Sequence, residues 1–175
     1  MQDIYDVLVT RRSIRKFKAD PVPEDQIQRI IETGLYAPTG MDRQQTIILK
    51  ITDPETIHTL GMVNGRLMGK GEVDGFYGAP VVLAVLSRKD NPNSIFDGCS
   101  VISNMLNETA SLGLGGCWIH RGKEQFETKE GIAILKKAGI NPDEYEGVDN
   151  VVLGYIDGEY PKPNPRKDGR VFSID

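Results

Sequence analysis

The amino-acid sequence predicts an α+β fold in which helices pack in layers on a sheet, and three observations predict it. Apolar residues recur at helical spacing in five segments, which alternate irregularly with four short β-branched or apolar runs. No glycine-rich turn follows the first of those runs, as a doubly wound nucleotide-binding fold would require. The chain has 175 residues, 39% hydrophobic and 26% charged, which suits one domain over 1–175 with one real core.

The first helix is expected over residues 3–11, with Ile4, Val7 and Leu8 at helical spacing. Pro23 suits the start of the second helix, and Glu24 and Asp25 its first turn. Ile27, Ile30, Ile31 and Leu35 form its apolar stripe, and it must end before Pro38. Residues 46–51 are β-branched and read as a strand. Asp53-Pro54 opens a helix over about 54–62, followed by a glycine-rich stretch from 64 to 78. The continuous apolar run 81–86 suits a fully buried strand. Residues 94–112 form the longest helix, with Ile95, Val101, Ile102, Met105, Leu106 and Thr109 inward and Gly113 as its stop. A short strand at 117–119, a helix at 129–138 closed by Gly139, and a strand at 148–156 complete the elements. A tail rich in proline and basic residues, 161–170, follows.

Composition excludes several classes of function. The longest apolar run, 79–86, is far short of the ~20 residues a membrane-spanning helix needs. The opening Met-Gln-Asp-Ile-Tyr-Asp lacks the basic-then-apolar pattern of a signal peptide. Cys99 and Cys117 sit in apolar surroundings and read as reduced thiols of a cytoplasmic protein. Two histidines and no ligand-like spacing argue against a metal centre. A net charge of −4 argues against general nucleic-acid binding.

Four segments stand out. Arg11-Arg12-Ser13-Ile14-Arg15 sets three guanidinium groups and a hydroxyl within five residues, a set able to bind phosphate through charge-assisted hydrogen bonds. The same cluster also fits a basic helix C-terminus with no ligand. Ala37-Pro-Thr-Gly-Met-Asp-Arg-Gln-Gln45 is dense in donors and acceptors, or is a stiff helix-to-strand loop. Leu112-Gly-Leu-Gly-Gly-Cys-Trp-Ile-His-Arg121 allows close approach to a flat ligand, although a tight turn explains its glycines nearly as well. His120 by itself reads as structural more readily than catalytic. Pro161-Lys-Pro-Asn-Pro-Arg-Lys167 is a solvated end, or returns basic groups to a phosphate.

Taken together and in this order, the four segments resemble the FMN-dependent nitroreductase family over about residues 4–167. The carrying motifs are Arg-Arg-Ser-x-Arg-x-Phe, Ala-Pro-Thr-x-x-Asp-x-Gln, Gly-Leu-Gly-Gly-Cys-Trp-Ile and Leu-Gly-Tyr-x-x-Gly with a later Pro-Arg-Lys. The resemblance implies a central, mostly antiparallel sheet flanked by helices, and an intertwined homodimer with FMN at the subunit interface. It implies that Arg11, Arg12, Ser13 and Arg15 hold the FMN phosphate and ribityl end, closed by Arg166 and Lys167. Pro38, Thr39, Gly40, Asp42 and Gln44 approach the flavin from the other subunit, and the backbone of Ile119, His120 and Arg121 faces its reactive edge. The implied activity is transfer of a hydride from NAD(P)H to nitroaromatics, quinones or related electron-poor molecules, with ping-pong kinetics. No side chain is then needed as catalyst, because the flavin carries the chemistry. Flavin storage or redox sensing without turnover, and other flavin chemistry on the same scaffold, are the alternatives.

Two departures from the family pattern concern the second segment. Asp42 stands where the pattern has asparagine, and Gln45 where it has proline. An ionised Asp accepts hydrogen bonds but donates none, which bears on flavin potential more than on binding. Phe76 and Tyr77 either stack on a substrate or pack in the core before the 81–86 strand.

Overall fold

The computed structural model describes residues 3–174. Four strands, β1 (Thr46–Ile51), β2 (Val81–Arg88), β3 (Gly115–Ile119) and β4 (Tyr145–Gly154), form one sheet in the order β1-β2-β4-β3. Each neighbouring pair is antiparallel. Six helices accompany them: α1 (Ile4–Thr10), α2 (Glu24–Leu35), α3 (Pro54–Leu67), α4 (Ser94–Ser111), α5 (Gly122–Glu127) and α6 (Lys129–Lys137). The α+β class is as the sequence predicts, and the antiparallel sheet is as the resemblance implies.

The period of two along each strand sorts the core into two layers. Leu83, Val85, Val151 and Leu153 face α2 and α4, where they meet Ile27, Ile30, Ile102 and Met105. Val82, Ala84, Leu86 and Val152 face the other way, toward Leu60 of α3, Phe126 of α5 and Leu135 of α6. The strands β2 and β4 are therefore buried on both faces, which explains why 81–86 is apolar without interruption.

Local signals place the helix ends. Asp53 accepts from the backbone N–H of Thr56 at 2.9 Å, with Pro54 in the first turn of α3. The hydroxyl of Thr128 accepts from Gly131 N at 3.1 Å to start α6. Gly113 and Gly139, at φ +75° and +76°, follow α4 and α6 in the left-handed conformation that most side chains resist.

Several expected boundaries shift. Helix α3 runs on to Leu67 through the glycine-rich stretch, because its Gly61 and Gly65 leave room for the loop around Asp74 and Val73 to pack on it. Strand β4 starts at Tyr145 and ends at Gly154, and the expected 155–156 end survives only as an isolated bridge between Ile156 and Phe17. Helix α5, unforeseen in the sequence, turns within six residues, too few to show a period. Leu35 and Ile95, read as core, are exposed, as are Ile4 and Leu8 of α1. Phe76 is fully buried in the α3 layer, so the packing reading holds for it, while Tyr77 packs partly buried beside it.

Among the described residues no helix is long and apolar enough to cross a membrane. The sheet makes one prediction. Leu83 has no exposed surface, so Leu83→Ala removes methyl groups from a site that cannot collapse. The expected loss is about 2–5 kcal/mol, read from the midpoint of urea unfolding.

Candidate functional site

After α1 the chain turns and lies along the open edge of β3. Ser13 bridges Gly116 in parallel, Ile14 N donates to Gly116 O at 3.0 Å, and Phe17 bridges Ile156. A side chain at Gly115 would overlap Ile14, whose Cγ2 lies 2.9 Å from the position of a Cβ, so the glycine is what lets the segment approach. This gathers Arg11, Ser13 and Arg15 around the buried thiol of Cys117. Burial pushes that thiol up, opposed by the charge of Arg15, a hydrogen bond with Ser13 and the charge of Arg11.

The charges of this segment divide into two kinds. Lys16 pairs with Asp157 at 2.8 Å. Among the described residues, Arg11, Arg12 and Arg15 have no carboxylate partner. Arg12 turns its Nη1 back onto the carbonyls of Val9 and Arg11, at 3.0 and 2.7 Å, and its Nε is buried without a partner. Ser13 and Arg15 also line a cleft of about 380 Å³ against Asp157, Gly158 and Pro161. Clustered cations without counter-ions are the charge complement of an anion.

Pro38, Thr39, Gly40, Asp42 and Gln44 lie elsewhere, between α2 and β1. Gly40 N donates to Asp97 Oδ1 at 2.9 Å, and Asn91 donates to the other oxygen at 3.0 Å, which ties the loop to the first turn of α4. Thr39 Oγ1 accepts from Gln44 N at 3.2 Å, and Asp42 Oδ1 accepts from Gln44 Nε2 at 3.0 Å. Met41, Asp42 and Gln44 hold φ values of +57°, +53° and +51°, so this loop stores backbone strain. Within the chain, no hydrogen bond or ion pair among the described residues joins it to the 11–15 segment. Arg166 and Lys167 sit in an extended, exposed tail, and they too make no such contact with 11–15. Only the start of the tail does, where Tyr160 accepts from Arg12 N at 2.9 Å.

Ile119, His120 and Arg121 leave the end of β3. Ile119 is buried, and His120 O accepts from Asn64 Nδ2 at 2.7 Å. Asn64 belongs to a buried amide cluster with Gln125 and Asn150. Arg121 is left-handed at φ +79° and pairs with Glu124 at 2.9 Å. Asp149 completes the turn: its Oδ2 accepts from Trp118 Nε1 at 2.7 Å and lies 2.8 Å from His120 Nδ1, while its Oδ1 accepts from Gly122 N at 3.2 Å. A slip in register near Val148 carries both Val148 and Asp149 to the α4 side. Trp118, His120, Asp149 and Cys99 line a cleft of about 440 Å³ there.

The sequence reading overlooked Asp149, Asn150, Asn64 and Gln125. A signal existed for the first two, because Asp149-Asn150 breaks the otherwise apolar β4 run with two adjacent polar residues. Asn64 and Gln125 carry none: Asn64 lies past the expected end of its helix, and Gln125 lies in the short α5 that has no period to read. Gly122→Ala tests the turn: a Cβ would sit 2.5 Å from Asp149 Cα and 2.7 Å from its N. The backbone must shift, at about 1–3 kcal/mol. The emission of Trp118, the one tryptophan, should change along with the melting temperature.

Comparison with known proteins agrees with this geometry. A solved nitroreductase with bound FMN from Bacteroides fragilis superposes with a TM-score of 0.90 over 100% of both chains, at 24% identity. Another with bound FMN, from Desulfitobacterium hafniense, gives 0.84 over 99% of this chain and 100% of that one, at 22% identity. At these identities the likeness is one of fold. An NADH dehydrogenase of Thermus thermophilus is 35% identical over 83 residues, 47% of this chain and 38% of that protein. The chain spans 60% or less of the length of the curated relatives it matches. The model of the family described as "Nitroreductase family" matches residues 8–155, from the last turn of α1 to just past β4, and the chain therefore belongs to that family.

Proposed function

We propose that this protein binds FMN and uses it to pass a hydride from NAD(P)H to nitroaromatics, quinones or related electron-poor small molecules. The observation that carries the reading is the group of unpaired arginines with Ser13 at the edge of β3. A phosphate dianion matches their charge, and the FMN named for the two solved neighbours is such a ligand.

The residues fit the group in kind. Arg11, Ser13 and Arg15 would take the phosphate and the ribityl end, with Arg12 supporting the segment from the α1 side. The backbone at Ile119, His120 and Arg121 would offer donors and acceptors to a flat ring. Bound there, the flavin supplies two-electron chemistry by accepting a hydride and handing it on. The chain's own work is to orient the ring and to leave one face open for a nucleotide and an acceptor in turn, which makes the kinetics ping-pong.

A homodimer belongs to the same reading. Pro38, Thr39, Gly40, Asp42 and Gln44 of the partner subunit, and the tail residues Arg166 and Lys167, would complete a site that one chain leaves open. The surface supports this. The chain exposes 10461 Å², against about 8,500 Å² expected for a compact protein of 19.4 kDa. Ile4, Tyr5 and Leu8 of α1, Ile95 and Phe96 of α4, and Val171 and Phe172 of the tail are apolar contributors to the exposed surface. Cys99 and Cys117 are free thiols, in keeping with a reducing cytoplasm.

The purified protein should be yellow, bleach anaerobically with NADH or NADPH, and recover its colour with a quinone or a nitroaromatic. A flavin spectrum that neither nucleotide changes would make the protein a store instead of an enzyme. Arg15→Ala should weaken FMN binding by about one to two orders of magnitude, the loss of roughly 1.5–3 kcal/mol of charge-assisted bonding. Unchanged FMN affinity would end the phosphate assignment. Light scattering should report about 39 kDa, twice the 19.4 kDa of one chain. A fully active monomer would refute the shared site.

A further inference from the structure

We propose that the His120 side chain is the proton donor to the reduced substrate, and that Asp149 is the residue that positions it. The inference rests on the hydride-transfer reading above and goes beyond it, since that reading uses only the backbone of His120.

The ring is held at one nitrogen and free at the other. Asp149 is a buried carboxylate, its side chain 8% exposed, and its Oδ2 lies 2.8 Å from His120 Nδ1. A carboxylate only accepts, so Nδ1 carries the hydrogen in this contact and Nε2 is left for other work. The donors Trp118 Nε1 and Gly122 N fix the carboxylate in turn, and Asn64 fixes the carbonyl of His120 from the opposite layer. All this anchoring serves a side chain that is 84% exposed. An exposed ring adds little to stability, so the anchoring reads as orientation for chemistry.

The charges around the ring are largely paired with one another, although Glu124 also feels the charge of His120. Arg121 pairs with Glu124, and Lys123 with Glu146, at 2.9 and 2.8 Å. On α4, burial and the charge of Asp149 push the Cys99 thiol up, so it stays protonated. The ring therefore meets the Asp149 carboxylate at Nδ1, makes no hydrogen bond at Nε2 among the described residues, and lines the 440 Å³ cleft.

The chemistry needs such a group. A quinone that accepts a hydride becomes a hydroquinone monoanion, two electrons richer and one proton short. As the hydride arrives, the Nε2–H bond of the imidazolium breaks and an O–H bond forms at the oxygen that gains charge, giving a neutral hydroquinone and a neutral imidazole. The exposed ring then takes a proton back from water. Asp149 orients the ring through Nδ1 without itself taking the proton, a division of labour known from other His–Asp pairs.

The test compares two oxidants of the anaerobically reduced, FMN-loaded protein. Benzoquinone takes two electrons and protons, whereas ferricyanide takes single electrons and no proton. In His120→Gln the ratio of quinone to ferricyanide reoxidation rates should fall about ten- to hundredfold, the lower part of the range for a general acid because water substitutes in part. A ratio equal to that of the wild type overturns the proposal. Nitrogen-15 NMR of the two imidazoles in the flavin-free protein provides a readout independent of turnover, with His58 as internal control. His120 should carry its hydrogen on Nδ1 at a pH of about 9, where an ordinary imidazole is neutral, and lose that preference in Asp149→Asn. An Nε2–H signal in the wild type would also overturn it. If the wild type takes up no FMN, the underlying reading falls and this inference with it. If FMN binds and the ratio stays put, this inference falls alone.

Discussion

Strand β4 lies between β2 and β3 with both faces covered, so each of its main-chain donors and acceptors must be met inside dry protein. That requirement organises the molecule. It sets β2 and β3 antiparallel on either side and confines the irregularity of the sheet to Val148. The extra residue puts Val148 against Gly98 of α4 and delivers the Asp149 carboxylate to Trp118, His120 and Gly122. One residue later, Asn150 turns to the opposite layer and joins Gln125 and Asn64. The end of β3 is thus gripped from both faces of the sheet by polar groups that have no other place to satisfy themselves.

The electrostatics follow the same economy. The chain is acidic overall, and many exposed cations find a carboxylate nearby, as Lys16, Arg66, Arg88 and Lys123 do. The arginines of the 11–15 segment are held beside β3 without one. A strip of backbone pairing, from Ser13 to Lys18, keeps them there against their mutual repulsion. The proposed phosphate ligand would give these clustered charges a partner.

The exposed apolar residues have a parallel logic. Most fall on α1, the first turn of α4 and the end of the tail, while Leu35, Tyr36, Met41, Val73 and Tyr160 are exposed elsewhere. The tail makes no regular structure among the described residues, and the strained 38–44 loop stands away from the arginines of its own chain, as expected of a loop that serves the other subunit's flavin. The proposed homodimer would cover apolar surface and bring a partner's loop to the arginines.

The periodicities that sequence carries are local, and so were the features legible in it. The α+β class, the 46–51 strand, the buried 81–86 run and the stops at Gly113 and Gly139 all follow from side-chain spacing and from glycine's freedom at positive φ. The arginine cluster and the Gly-Gly-Cys-Trp run were visible as unusual densities of one residue type. What spacing cannot carry is which distant segments meet. Leu35 and Ile95 sit at helical spacing with core residues and yet face solvent, because the stripe of a helix is decided by what packs against it. Asp149 reads as one acidic residue in a strand until a register slip turns it toward Trp118 and His120. The sequence by itself determined the elements and the chemical groups available; only the tertiary structure decided which of those groups share a site, because burial and hydrogen-bond pairing are satisfied between segments tens of residues apart.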